Sequence, residues 1–476
     1  MTRTDFLALT PLIVVALTAA ITMLQIAVRR HHGIAVLLSV IGLATAFLSL
    51  PMAGKWSTGP VTGLMVVDAY ALFYIGLILM ATAATVLLGY GYLERLGGHF
   101  EEFYLLLLLA ATGAIVLVMS RHFASFFIGL EILSIALYAL IAYSRQRVQS
   151  VEAGLKYLVL AAASAAFLLF GMALIYSQIG TLDFVYMTAG LSSMTISGGQ
   201  LILLAGVGML MVGIGFKLAL VPFHMWTPDV YQGAPAPVTG FVSTVSKTAM
   251  VALLVRLFVP VNLTNHPSVF WMFGVIAFAS MVGGNLLALL QNQVKRILAY
   301  SSIAHMGYLL VAFMAGGRIA EQAVAFYITA YTITTLGAFG VISVLSGKDK
   351  DADRLEDFQG LIFRHPWIGG IFIAMLLSLA GIPLTVGFMG KFYIVAAGLY
   401  SALWWLVITL LVTSGISLFY YLRIVVALFS RPGDRQAASA LEPAAGVSGG
   451  LVLTAMTILL IWLGIGPGPL LALIRF

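Results

Sequence analysis

Residues 206–238 read GVGMLMVGIGFKLALVPFHMWTPDVYQGAPAPV, and this stretch decides the fold. It starts as an apolar run of bilayer-spanning character, carries Lys217 in its interior, and breaks at Pro222. About 20 apolar residues cross a bilayer as helix. Proline within such a helix frees backbone groups that must find partners in protein or water. The same design returns in GIPLTVGFMGKFYIVAAG (381–398), where Gly381, Pro383, Gly387 and Gly390 precede Lys391. Lys247 lies between them in GFVSTVSKTAMVALLV, and Glu131 adds a fourth charge in FASFFIGLEILSIALYAL.

The rest of the chain has the same character. Of its 476 residues, 62% are hydrophobic and only 9% charged, which makes it an all-α polytopic membrane protein. Reading apolar runs between polar breaks gives fourteen spans: 6–28, 33–53, 66–90, 102–120, 121–143, 153–178, 198–222, 236–260, 268–290, 296–316, 320–346, 366–397, 402–430 and 447–474. The first has no basic leader or small-residue cleavage signature and is expected to be a retained helix. Three polar connections, around Thr188 to Gln200, SGKDKDADRLEDFQG and RPGDRQAASALEPAAGVSGG, read as surface loops.

An even number of spans puts both termini on one side. One set of loops carries Arg29, Arg30, Arg95, Arg145, Arg147, Lys295, Arg296, Lys348, Lys350, Arg354, Arg364, Arg431 and Arg435; the other, with both tails, carries Arg3, Lys55, Arg121, Arg318 and Arg475. The positive-inside rule makes the richer set cytoplasmic and both termini periplasmic. The net charge of +7 is scattered singly, so orientation explains it and nucleic-acid binding does not. The absence of cysteine excludes disulfides and cysteine-ligated clusters. Neither a phosphate loop, nor a dinucleotide fingerprint, nor clustered metal ligands occur in the sequence.

A charge at the bilayer centre costs roughly 2.5–3.5 kcal/mol on insertion scales, so an intramembrane ionisable residue is a functional hypothesis by default. Arg256 and Arg423 lie near helix ends and are expected to snorkel to the headgroups. Lys217, Lys247, Lys391 and Glu131 are flanked too deeply for that, which makes them candidates for a proton path. A desolvated lysine exists in either charge state at modest cost, and a nearby carboxylate adjusts its proton affinity. Glu152 and Lys156, four apart near a helix start, are either a structural pair or a proton-entry element. His224 follows the break, and His305 sits in AYSSIAHMGYLL beside Ser301, Ser302 and Tyr308; each is a relay or a core histidine, and the polar neighbours favour the relay at His305. Asp229 is expected to anchor the loop of the broken helix. The interrupted seventh and twelfth spans suggest two repeated halves.

The stretch GIGFKLALVPFHMWTPDVYQGAPAPVTGFVSTVSKTA resembles the signature of the antiporter-like subunits of respiratory complex I and of multisubunit sodium/proton antiporters. FIGLEILSIALY, LKYLVLAAASAAFLLFGMALIYSQ, QVKRILAYSSIAHMGYLL and SLAGIPLTVGFMGKFY extend the likeness over most of spans five to twelve. The resemblance is nearest to the N-type subunits of bacterial NADH:quinone oxidoreductase. M-type subunits carry glutamate at the position of Lys391, and L-type subunits add a long lateral helix.

The resemblance implies fourteen helices with two inverted five-helix repeats. It divides the chain into N-terminal spans (1–100), a first repeat (101–260), a second repeat (261–430) and a last span (431–476). It implies that Glu131 and Lys217 interact in the first half-channel, that Lys247 is the central connection, that Lys391 serves the second half, and that His305 links them. Proton translocation in the inner membrane is the implied activity, with sodium/proton antiport as the alternative. No cofactor is expected in this chain; NADH, FMN, iron-sulfur clusters and quinone belong to partner subunits. The implied partners are an M-type neighbour, small K-, J- and A-type subunits, the lateral helix of the L-type subunit, and lipids.

Overall fold

The computed structural model describes residues 2–56, 59–193, 198–258, 260–261, 263–348, 350–430 and 446–474, with backbone only at 189–193 and 198–200. Arg431, Arg435, Arg475 and most of the polar connection after residue 430 lie outside the described residues.

Helices dominate, in the order α1 (Arg3–Ala8), α2 (Thr10–Val28), α3 (His32–Leu48), α4 (Leu50–Trp56), α5 (Ala69–Leu96), α6 (Glu101–Met119), α7 (Phe123–Ile141) and α8 (Val148–Ile179). There follow α9 (Phe184–Ser193), α10 (Gly198–Leu218), α11 (Trp226–Gly233), α12 (Ala236–Phe241), α13 (Lys247–Phe258), α14 (Pro267–Leu289), α15 (Val294–Ala315) and α16 (Gly317–Leu345). The chain continues through α17 (Leu361–Arg364), α18 (Pro366–Ala380), α19 (Val386–Tyr400), α20 (Trp404–Phe429), α21 (Val447–Ile465) and α22 (Gly468–Leu473). Thirteen helical segments among the described residues are long and apolar enough to cross a membrane. The shorter pair α18 and α19 supplies a further, broken crossing, in keeping with the expected fourteen. A two-residue hairpin, β1 (Gly59–Pro60) with β2 (Val66–Val67), joins α4 to α5. Around Thr188, where a loop was expected, the chain forms α9.

The order of burial explains the placement of polar residues. Over the 18 residues of each best suited to span a bilayer, the crossing made by α12 and α13 and that made by α16 are buried throughout and α15 nearly so, whereas only 28–33% of α2, α3 and α8 is buried. Lipid offers a polar side chain no partner, so such groups belong on helices surrounded by protein. Ser301, Ser302 and His305 on α15, Lys247 and Thr248 on α13, and Thr332 on α16 follow that rule. Small residues allow the close packing: a Cβ on Gly171 of α8 would lie 2.6 Å from the Gly206 carbonyl oxygen of α10.

Both breaks resolve the backbone groups they free. After α10, Leu220 N–H donates to the Gly215 carbonyl at 2.8 Å, Val221 N–H to Ser280 Oγ at 3.0 Å, and Trp226 Nε1 to the Phe216 carbonyl at 2.8 Å. Between α18 and α19, Gly381 (φ +89°) closes the first half with its N–H on Leu377 and Ser378 carbonyls. Thr385 caps α19, accepting from Phe388 N–H.

Candidate functional site

Each intramembrane lysine is buried, and each meets neutral polar groups. Lys217, on the last turn of α10, donates to Ser134 Oγ at 2.8 Å and Tyr157 OH at 2.9 Å. Lys247 follows a π-helical turn, Val242–Ser246, and donates to Ser302 Oγ at 2.6 Å. Lys391, in the second turn of α19, donates to the Ala380 carbonyl that ends α18 and to Ser414 Oγ, both at 2.8 Å. Among the described residues, none of the three forms an ion pair.

This partner set has a chemical consequence. A hydroxyl both donates and accepts, so it can receive a bond from an ammonium or give one to a neutral amine. A carboxylate would favour the charged form alone. Lys217 and Lys247, bonded to hydroxyls, are therefore provided for in both protonation states; Lys391 has one such partner, Ser414, and one carbonyl that only accepts.

Between Lys247 and Lys391 runs a nearly continuous polar row on α15. Ser302 Oγ lies 2.5 Å from Tyr331 OH and 3.3 Å from Tyr231 OH. One turn on, His305 contacts Tyr327 OH through Nδ1 at 2.6 Å and Tyr421 OH through Nε2 at 3.2 Å. Tyr421 OH also bonds Ser301 Oγ. Tyr308, a further turn along, packs its ring 5.5 Å from His305 and carries the Lys391 ammonium 5.4 Å from its centroid. Its hydroxyl accepts from Asn285 Nδ2 at 2.8 Å, and Tyr420 OH donates to Asn285 Oδ1 at 3.0 Å.

The first half is organised differently. Glu131 is half-buried on α7, one turn before Ser134, and makes no ion pair with Lys217 among the described residues. Glu131 lies within electrostatic reach of the Lys217 ammonium, whose hydrogen bonds go to Ser134 and Tyr157. From Lys217 towards Lys247 the connection is aromatic: Tyr157 to Trp226 at 4.9 Å, Trp226 to Tyr231 at 6.3 Å, and the Lys247 ammonium 5.9 Å from the Tyr231 centroid.

Glu152 and Lys156 pair at 2.7 Å on an exposed part of α8, and Lys156 also reaches Asp229 at 2.8 Å. Asp229 anchors α11 as expected, holding Arg296 of α15 at 2.9 Å on its other oxygen. Glu152, Lys156 and Asp229 line a cleft of about 160 Å³ with Gln149, Gln232 and Gly233. His224 is half-buried in the turn after α10, and its Nδ1 has no hydrogen-bond partner among the described residues.

The two arginines expected to snorkel do not. Arg256 forks onto Asp68, the N-cap of α5, at 2.8 and 2.9 Å. Arg423 donates to the carbonyls of Leu289 and Gln291 at the end of α14. Carboxylates and helix-terminal carbonyls inside the protein offer a fixed partner that headgroups do not.

A family model described as "NADH:quinone oxidoreductase/Mrp antiporter, TM" matches residues 120–417. A chain of respiratory complex I from Thermus thermophilus, solved with bound aureothin, is 34% identical, with a TM-score of 0.83 over 97% of this chain and 98% of that one. The chain belongs to this antiporter-like family. It is an antiporter-like membrane subunit of complex I or of its Mrp-type relatives. The fold extends to a chain of the Mrp complex from Dietzia sp. DQ12-45-1b (20% identity, TM-score 0.85, covering 100% of this chain and 96% of that one). It extends also to one from an archaeal membrane-bound sulfane sulfur reductase (24%, 0.84, 99% and 96%).

The region that the family model matches contains Glu131, all three lysines, His305 and the partners Ser134, Tyr157, Ser302, Tyr327, Tyr331 and Ser414. In this antiporter-like subunit the second break leaves no room beside Lys391. A Cβ on Gly381 would lie 2.9 Å from Lys391 Cδ and 3.2 Å from Nζ, at a φ that L-residues rarely adopt. Gly381→Ala is expected to add about 1–2 kcal/mol of backbone strain and to push the ammonium off the Ala380 carbonyl. Transport in reconstituted vesicles should fall severalfold while Gly370→Ala, whose Cβ meets open space, leaves it unchanged.

Proposed function

We propose that this chain is the N-type, proton-translocating subunit of a bacterial NADH:quinone oxidoreductase, moving protons in response to electron transfer in partner subunits. The observation that carries the reading is the row of three buried lysines whose hydroxyl partners serve both protonation states, two of them linked through His305 and its tyrosines. Protons enter at the Glu152, Lys156 and Asp229 cleft, reach Lys217 under the control of the nearby Glu131 charge, and pass by way of water along the aromatic wall to Lys247. Ser302, His305 and Tyr308 carry the path on towards Lys391. His224 has the same proton-transfer role at the first break. The two broken crossings belong to inverted repeats at 101–260 and 261–430, and both termini face the periplasm. NADH, FMN, iron-sulfur clusters and quinone are held by partner subunits, among them the M-type neighbour, the small K-, J- and A-type subunits and the L-type subunit with its lateral helix.

The likeness to Mrp chains supports sodium/proton antiport as a second reading. A sodium site wants several hard oxygen ligands, and among the described residues Glu131 is the one carboxylate around the lysine row. Affinity purification from the native membrane separates the readings. The first expects co-purifying flavin and iron-sulfur absorbance, NADH-driven acidification of vesicles, and rates that do not depend on sodium. Sodium-dependent transport without redox partners would overturn it in favour of the second.

A further inference from the structure

Three polar contacts lie along one stripe of α13, at the four-residue spacing of Thr248, Ala252 and Arg256. Thr248, next to Lys247, bonds Thr332 Oγ1 of α16 at 3.2 Å. The Ala252 carbonyl accepts from Tyr70 OH of α5 at 2.8 Å. Arg256 forks onto Asp68 and stacks 4.8 Å above the Tyr70 ring. Its Nε is buried without a partner among the described residues, a donor that water entering here would occupy. On α16 the seam holds Thr332, and Glu321 stands near the start of the same helix. Glu321 is half-buried, forms no ion pair among the described residues, and lies within electrostatic reach of Arg256 and the exposed Arg318.

A helix-terminal lock explains Asp68 with Arg256, since Asp68 also caps α5 by accepting from Ala71 N–H at 2.7 Å. It leaves Glu321 unexplained, because a half-buried carboxylate at the end of a membrane helix is costly without a partner. It also leaves unexplained why polar contacts continue from the pair down to the level of Lys247. A cation at the mouth of such a seam repels an excess proton while it is held in place.

We infer that the seam between α5, α13 and α16 is a proton outlet from Lys247 to the face bearing Asp68, with the Asp68 and Arg256 pair as its gate and Glu321 as the group that hands the proton to solvent. The inference rests on the proton-translocating reading above. Glu321 takes one proton from the seam and releases one outside, so no other reactant is required.

The test uses the assembled complex in sealed vesicles, with passive proton leak measured at rest and acidification measured during turnover. Asp68→Asn is expected to raise the resting leak severalfold, Glu321→Gln to slow coupled transport severalfold, and the double variant to return the leak to the wild-type level. A purely structural role would not produce that suppression. Arg256→Lys, which keeps the charge and loses the fork, should leak likewise and replaces Asp68→Asn if that variant does not assemble. An unchanged leak in the assembled gate variant, or full transport in Glu321→Gln, overturns the outlet provided that Lys247→Ala abolishes transport. Full transport in Lys247→Ala overturns the underlying reading instead.

Discussion

Replacing Lys247 by alanine is expected to reduce coupled proton transport about a hundredfold, the lower end of what a positioned proton-transfer group contributes. Lys247 is wholly buried at the meeting point of the aromatic wall from Lys217 and the polar row of α15, with Ser302 as its bonded partner. Removing the amine leaves Ser302 bonded to Tyr331 and Tyr231 but opens a gap in the row. Lys247→Arg separates two roles for the residue. Arginine keeps the charge and does not give up its proton, so a carrier role predicts that transport stays low. Recovery to wild-type rates in the arginine variant would show that Lys247 acts through its field on neighbouring water. The measurement is initial acidification of vesicles at fixed redox turnover, normalised to assembled complex. Wild-type acidification in Lys247→Ala would overturn the proton-translocating reading.

The lysines, Glu131 and His305 were legible in the sequence because charge inside an apolar run has few bland explanations. Their partners were not. Ser134, Ser302, Ser414, Tyr157 and Tyr327 are neutral, common in membrane helices, and distant in the chain from the lysines or histidine they meet. The same lack of partner information made Arg256 and Arg423 look like snorkelling side chains. The sequence shows their distance from a helix end and is silent on Asp68, 188 residues away. The two breaks were visible from Pro222 and the Gly381 cluster, but not the π-helical turn before Lys247, since VSTVS has no feature that distinguishes it from ordinary helix. The interaction expected between Glu131 and Lys217 came from family likeness, which says nothing of Ser134, three residues further along the same helix, as the group that Lys217 bonds.

The run SGKDKDADRLEDFQG reads as a solvated loop, yet it contains Asp351, a carboxylate with four hydrogen-bond donors. Asp351 Oδ1 accepts from Arg147 Nη1 at 2.7 Å and Tyr92 OH at 2.8 Å. Its Oδ2 accepts from Lys295 Nζ at 2.9 Å and Ala236 N–H at 3.1 Å. One side chain thus joins α5, the start of α8, α12 and α15, and so holds together the ends of the helices that carry the lysine row.

Asp351→Ala is expected to cost about 3–5 kcal/mol, the range for breaking a buried pair and leaving the other charge uncompensated. Lys295 is only 1% exposed and would keep the Gln232 and Ala234 carbonyls at 2.9 and 2.8 Å but lose the carboxylate bonded to its ammonium. Asp351→Asn should lose most of the same stability, because whichever way the amide turns its NH₂ faces donors. The readouts are the unfolding midpoint in detergent and the amount of assembled complex in the membrane.

Acidity supplies an independent check. Burial pushes the Asp351 carboxyl up, but the Lys295 and Arg147 charges and their hydrogen bonds outweigh it and hold the group below the usual aspartate range. A depressed carboxylate stabilises the fold above its unfolded pKa of about 3.9, and that contribution disappears as pH falls through the lower folded value. The gap between wild type and Asp351→Ala should therefore be constant from neutral pH to about 4 and narrow below it. An alanine variant with the wild-type midpoint at neutral pH would show that the loop is held by its other contacts, and that the lysine row keeps its geometry without this carboxylate.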